Sequence, residues 1–107
     1  MGTVPKLKIT THSTFSSRSF AAYMGYIPSM LSTFINWSVT PKVTITDWRE
    51  NSNLQLSIKK LPNNDMFLVY LENDCYNELY SNTEELTFAV VTFIETNLLP
   101  KEKLKCQ

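Results

Sequence analysis

The stretches Val43-Thr44-Ile45-Thr46, Leu54-Gln55-Leu56-Ser57-Ile58-Lys59 and Met66-Phe67-Leu68-Val69-Tyr70-Leu71 decide how this chain folds. In the first two, apolar and polar side chains alternate, which is the pattern of a strand with one face in a core and the other partly wet. The third is apolar at every position and reads as a strand needing cover on both faces, hence a central one. The links Arg49–Asn53 and Pro62–Asp65 are short and rich in turn formers. Three strands joined so tightly form an antiparallel meander over about 42–73.

Working outward from the meander, the most defined signal is on its C-terminal side. Ser81-Asn82-Thr83-Glu84 fits a capping box, with Asn82 and Glu85 as the alternative register. A helix is therefore expected over about 82–99, ended by Pro100. Helical spacing puts Leu86, Ala89, Val90, Phe93 and Ile94 on one face, towards the sheet. Phe88 points nearly the other way, so it is expected either to contact another molecule or to be covered by the segment 19–36.

On the N-terminal side, Leu7 and Ile9 alternate with Lys6, Lys8 and Thr10 as a short strand. The segment from Ser19 to Asn36 reads as helical, with Pro28 kinking it or starting a second helix. A strand at Phe20–Tyr26 fits the spacing of its first part equally well. The fold class expected is α+β: an antiparallel sheet of four or more strands, packed against the C-terminal helix and the segment 19–36. The expected core takes in Val43, Ile45, Leu54, Leu56, Ile58, Phe67, Val69, Val90 and Phe93. With 107 residues the chain is one domain's worth, and the tail 101–107 reads as a mobile basic extension.

The formal net charge is zero, from ten basic and ten acidic residues, but their placement is uneven. Lys6, Lys8, Arg18, Lys42, Arg49, Lys59 and Lys60 face only Asp47 and Glu50 in the first 60 residues. Residues 61–100 carry Asp65, Glu72, Asp74, Glu78, Glu84, Glu85 and Glu95 and no base. Such asymmetry points to a charged partner. A basic surface for nucleic acid, with Trp37 or Trp48 to stack on bases, is disfavoured by the balanced charge and by the acidic segment.

Catalytic and metal chemistry find little support. His12 is the only histidine, and its neighbour Ser13 points away from it in an extended chain, so a structural role is expected. Cys75 lies among acids, which oppose thiolate formation, and Cys106 sits in the tail. Two cysteines make no disulfide framework and no zinc spacing, which favours a reducing, cytoplasmic setting. With Gly2 and Gly25 alone, a glycine-rich phosphate loop cannot be built. The acid-free N-terminal 46 residues resemble a transit peptide in composition only, and Lys6 stands where a myristoylation signal needs Ser or Thr. No run of about 20 strongly apolar residues marks a membrane helix. No catalytic residue, metal or cofactor is therefore expected, and the chain is read as a non-enzyme.

The expected function is a small protein-binding module, an inhibitor or immunity-type protein that neutralises a basic toxin or nuclease. Its contact residues would be Asp65, Glu72, Asp74, Tyr76, Glu78, Tyr80, Glu84, Glu85 and Phe88, where tyrosines interleave with carboxylates. Two other classes remain open: a ligand-binding or catalytic α+β domain with a pocket between sheet and helix, and a structural subunit of a larger assembly or homo-oligomer.

Overall fold

A computed structural model describes residues 6–47, 55–62, 65–71 and 76–98. Six strands form one sheet: β1 (Lys6–His12), β2 (Ser17–Tyr23), β3 (Lys42–Asp47), β4 (Gln55–Lys60), β5 (Phe67–Leu71) and β6 (Asn77–Tyr80). Their order is β2-β1-β3-β4-β5-β6, and every neighbouring pair is antiparallel. Two helical segments complete the α+β fold. The first, α1, is a single turn at Tyr26–Ser29 that widens into a π-helical turn at Met30–Phe34. The second, α2 (Thr83–Phe93), likewise continues as a π-helical turn, Ile94–Leu98.

The strand register turns alternation into two distinct faces. Leu7, Ile9, Val43, Ile45, Leu56, Ile58, Val69 and Leu71 stand side by side on one face, and all are buried. Ile27, Met30 and Leu31 from the first helical segment and Leu86, Val90, Phe93 and Ile94 from the second close over them. The expected core is thus in place, except that Leu54 falls outside the described residues. Trp37 seals one end of the core, its ring 5.1 Å from that of Phe67 and its indole N–H donating to the Leu31 carbonyl at 3.3 Å.

Three details depart from the sequence reading. Ser17–Tyr23 is a strand, so the helical segment begins only at Tyr26; the strand alternative at Phe20–Tyr26 holds for Phe20–Tyr23 and not for Tyr26. Pairing with β1 decides it, because Leu7 and Ile9 need Ala22 and Phe20 beside them to extend the covered face. Pro28 sits in the first turn of α1, where its missing N–H costs no helical bond. Second, β5 is not central but next to the edge. Leu68 and Tyr70 are only half-buried on the open face, and the Lys42 ammonium lies 5.9 Å from the Tyr70 ring centroid. Third, Asn82 rather than Ser81 caps α2, its Oδ1 accepting from the Glu85 N–H at 2.8 Å.

The open face carries hydroxyls and lysines, with Ala21, Leu68 and Leu79 among them. Ser19, Thr10, Thr44, Ser57 and Tyr70 form one continuous row across five strands, and His12, Lys42 and Lys59 form part of the next. Among the described residues, no helix is long and apolar enough to cross a membrane.

Candidate functional site

The end of the sheet at β6 is where the acidic, tyrosine-bearing segment meets the last helix. Tyr76, Glu78 and Tyr80 alternate along the chain, so they share the face on which α2 packs. Asn82 then turns the chain into α2, and its cap places Glu84 and Glu85 in the first helical turn, where the helix dipole favours negative charge. Between strand and helix lies an open groove of about 750 Å³. Tyr76, Tyr80 and Phe93 form its floor and one wall, and Glu84, Glu85, Phe88, Ala89, Thr92, Thr96 and Asn97 form the helical side. From Glu84 to Thr96 the helical rise makes it about 18 Å long.

Its geometry grades from charged to apolar to polar. Glu84 and Glu85 stand exposed at the helix start, and Phe88 presents an aromatic side chain that is 75% exposed. The Tyr76 ring packs on Phe93 with centroids 4.9 Å apart, anchoring the floor to the core. The Tyr76 and Tyr80 hydroxyls lie 3.5 Å apart. Burial, and then that hydrogen bond, push the Tyr76 phenol above its ordinary range. An apolar floor with carboxylates at one end and small polar groups at the other suits an extended segment with a basic group and an apolar anchor.

Five of the nine residues expected from sequence converge on this groove: Tyr76, Tyr80, Glu84, Glu85 and Phe88. Glu78 is exposed on the same strand face between the two tyrosines. Asp65 is not brought to it. It lies between β4 and β5, fully exposed, with a carboxylate oxygen 3.9 Å from the Lys60 ammonium. Glu72 and Asp74 lie outside the described residues. Sequence reasoning set Ala89 on the sheet-facing stripe of α2, whereas it lines the groove, and it passed over Thr92, Thr96 and Asn97. Their signal was a second helical stripe, Glu85, Ala89, Thr92 and Thr96, whose short side chains leave the groove open.

Phe88 is covered by neither α1 nor the π-helical turn that follows, so the alternative of burial under the segment 19–36 does not hold. His12 has Nδ1 3.1 Å from Ser17 Oγ and Nε2 3.4 Å from Thr44 Oγ1. Among the described residues no group of three or more His, Cys, Asp or Glu could hold a metal ion. A second cavity, about 480 Å³, opens at the other end of the sheet beside Phe20, Ala22, Tyr23 and Tyr26 and contains no carboxylate. The chain matches no protein-family model, no curated protein and no solved structure.

Proposed function

We propose that this chain is a protein-binding module that seats a basic, apolar-anchored segment of another protein in the groove between β6 and α2. The observation that carries the reading is the convergence of two glutamates and an exposed phenylalanine on one groove floored by core-anchored aromatics. A solvated acidic rim accounts for the glutamates, but not for an exposed Phe88 lining the same groove as Tyr76 and Tyr80. The charge asymmetry makes a basic partner the natural one, and a stoichiometric inhibitor or immunity-type protein acting on a basic toxin or nuclease is the form that follows from it.

The test is capture of the partner from the native host by the whole chain, compared with Phe88→Glu and with a Glu84→Gln, Glu85→Gln double variant. Both variants should keep the circular dichroism of the parent, since these side chains are exposed, and the double variant should melt slightly lower because it gives up two carboxylates at the start of α2. Phe88→Glu should lose the partner. The double variant should associate several-fold more slowly at low salt and no differently at high salt. Association unchanged in both folded variants overturns the reading.

A further inference from the structure

We propose that the partner enters the groove as a seventh strand, paired antiparallel to the free edge of β6 through the main chain of Asn77 and Leu79. The proposal rests on the reading of the groove as a protein-binding site and specifies how that site is used.

The hydrogen-bond pattern of the sheet shows which backbone groups are on offer. The Leu71 N–H donates to the Tyr76 carbonyl at 3.0 Å, so residues 71 and 76 form a hydrogen-bonded pair. In an antiparallel ladder such pairs alternate with non-hydrogen-bonded ones. Counting along the register, Val69 with Glu78 and Phe67 with Tyr80 are bonded pairs, while Tyr70 with Asn77 and Leu68 with Leu79 are not. The N–H and C=O groups of Asn77 and Leu79 therefore point away from β5, towards the open edge of the sheet. Among the described residues no strand lies beyond β6.

The side chains match this edge to one kind of occupant. Glu78 projects on the groove side between Tyr76 and Tyr80, and it would meet the incoming strand in a non-hydrogen-bonded pair, where side chains approach most closely. A lysine or arginine opposite Glu78 makes a cross-strand charge pair. The groove-facing residue opposite Tyr80 points towards Phe88 and should be aromatic or aliphatic. Leu79, 54% exposed on the other face, calls for an apolar residue opposite it. In antiparallel order the partner segment reads aromatic, apolar, basic, opposite Tyr80, Leu79 and Glu78 in turn, and main-chain bonds supply affinity while these side chains supply choice.

The experiment uses the whole chain and a designed peptide, acetyl-Thr-Val-Phe-Val-Lys-Val-Thr-amide, as the probe. N-methylation of the two valines flanking lysine removes the donors that would face β6, and N-methylation of the phenylalanine and lysine removes donors that would face solvent. The first peptide should bind at least tenfold more weakly than the parent peptide and the second within about twofold of it. On the protein side, Leu79→Pro removes an outward N–H and no bond to β5, which an edge strand tolerates. It should weaken binding about tenfold, against less than threefold for Leu79→Ala. If Leu79→Pro does not fold, the pair of methylated peptides decides alone. Binding that is lost in Phe88→Glu but equal for both methylated peptides overturns strand addition and leaves the groove reading intact. A parent peptide that fails to bind overturns strand addition outright, and host capture then judges the groove by itself.

Discussion

The two faces of the sheet are made by the same strands and obey different rules. Along β3, Val43 and Ile45 disappear under the helices while Thr44 and Thr46 stand on the opposite side, and β4 repeats the contrast with Leu56 and Ile58 against Ser57 and Lys59. The covered face is cohesive because apolar area leaves water there. The other face carries a row of hydroxyls, with Thr10 Oγ1 and Ser19 Oγ 2.8 Å apart and Thr44 and Ser57 buried between their neighbours, and it places Lys42 directly opposite Lys59. Stability should reside in one face and adaptability in the other.

The largest effect should come from the covered face. Ile45→Ala or Leu56→Ala removes a fully buried aliphatic side chain from the middle of the sheet, and each should lower stability by about 2–5 kcal/mol in urea unfolding. Thr46→Ala, one residue along on the open face, should change it by less than about 0.5 kcal/mol. Equal losses at positions 45 and 46 would break the contrast between the faces.

A smaller effect tests the helix that closes the core. Asn82→Ala leaves the Glu85 N–H without its 2.8 Å acceptor and should cost about 1 kcal/mol, whereas Ser81→Ala should cost next to nothing. The reverse order would move the cap to Ser81 and with it the register of the groove-lining stripe.

The same contrast explains what could be read from sequence. Val43 to Ile45, Leu56 to Ile58, and Leu7 with Ile9 each carry strict alternation next to turn formers, so their strands and buried faces were legible. Ser17–Tyr23 was not, because Phe20, Tyr23 and Met24 fit a helical face as well as a strand, and only the partner β1 separates the two. Position within the sheet was equally hidden for β5, since an all-apolar run tells how much cover a strand can use and not where it stands. In the groove, charge and aromatic rings announced Glu84, Glu85, Tyr76, Tyr80 and Phe88. Ala89, Thr92 and Thr96 contribute by lacking bulk, and absence of bulk has no chemical signature until the opposite wall is known.

On the open face, Lys59→Glu replaces a like-charge cross-strand pair by an opposite one. Directly opposed like charges are unfavourable, so the variant should gain about 0.2–1 kcal/mol at low ionic strength. The gain should shrink in high salt, because these side chains reach solvent. A loss of stability at low salt would show that Lys59 is held by something other than its row.

The subtlest difference between the faces is the response to acid at His12. Its ring bridges Ser17 and Thr44, it stands opposite Lys42 in the register, and no carboxylate shares this face among the described residues. Partial burial and then the charge of Lys42 lower its pKa below the ordinary value of 6.5. The sign follows from proton counting. Well above 6.5 the ring is neutral in both folded and unfolded chains and contributes nothing to the pH dependence. As pH falls through 6.5 the unfolded chain takes up a proton before the folded one, so stability declines until the folded-state pKa is passed, and then levels. His12→Gln should remove this component of the melting-temperature profile between about pH 7 and the folded-state pKa, leaving the carboxylate-dependent fall at lower pH unchanged. Proton NMR of the His12 ring should give a midpoint below 6.5, and Lys42→Gln should move that midpoint part of the way back up. A midpoint at 6.5 in the parent would mean that neither burial nor Lys42 acts on the ring, and one above 6.5 that a carboxylate reaches it; either result would remove the electrostatic difference between the two faces.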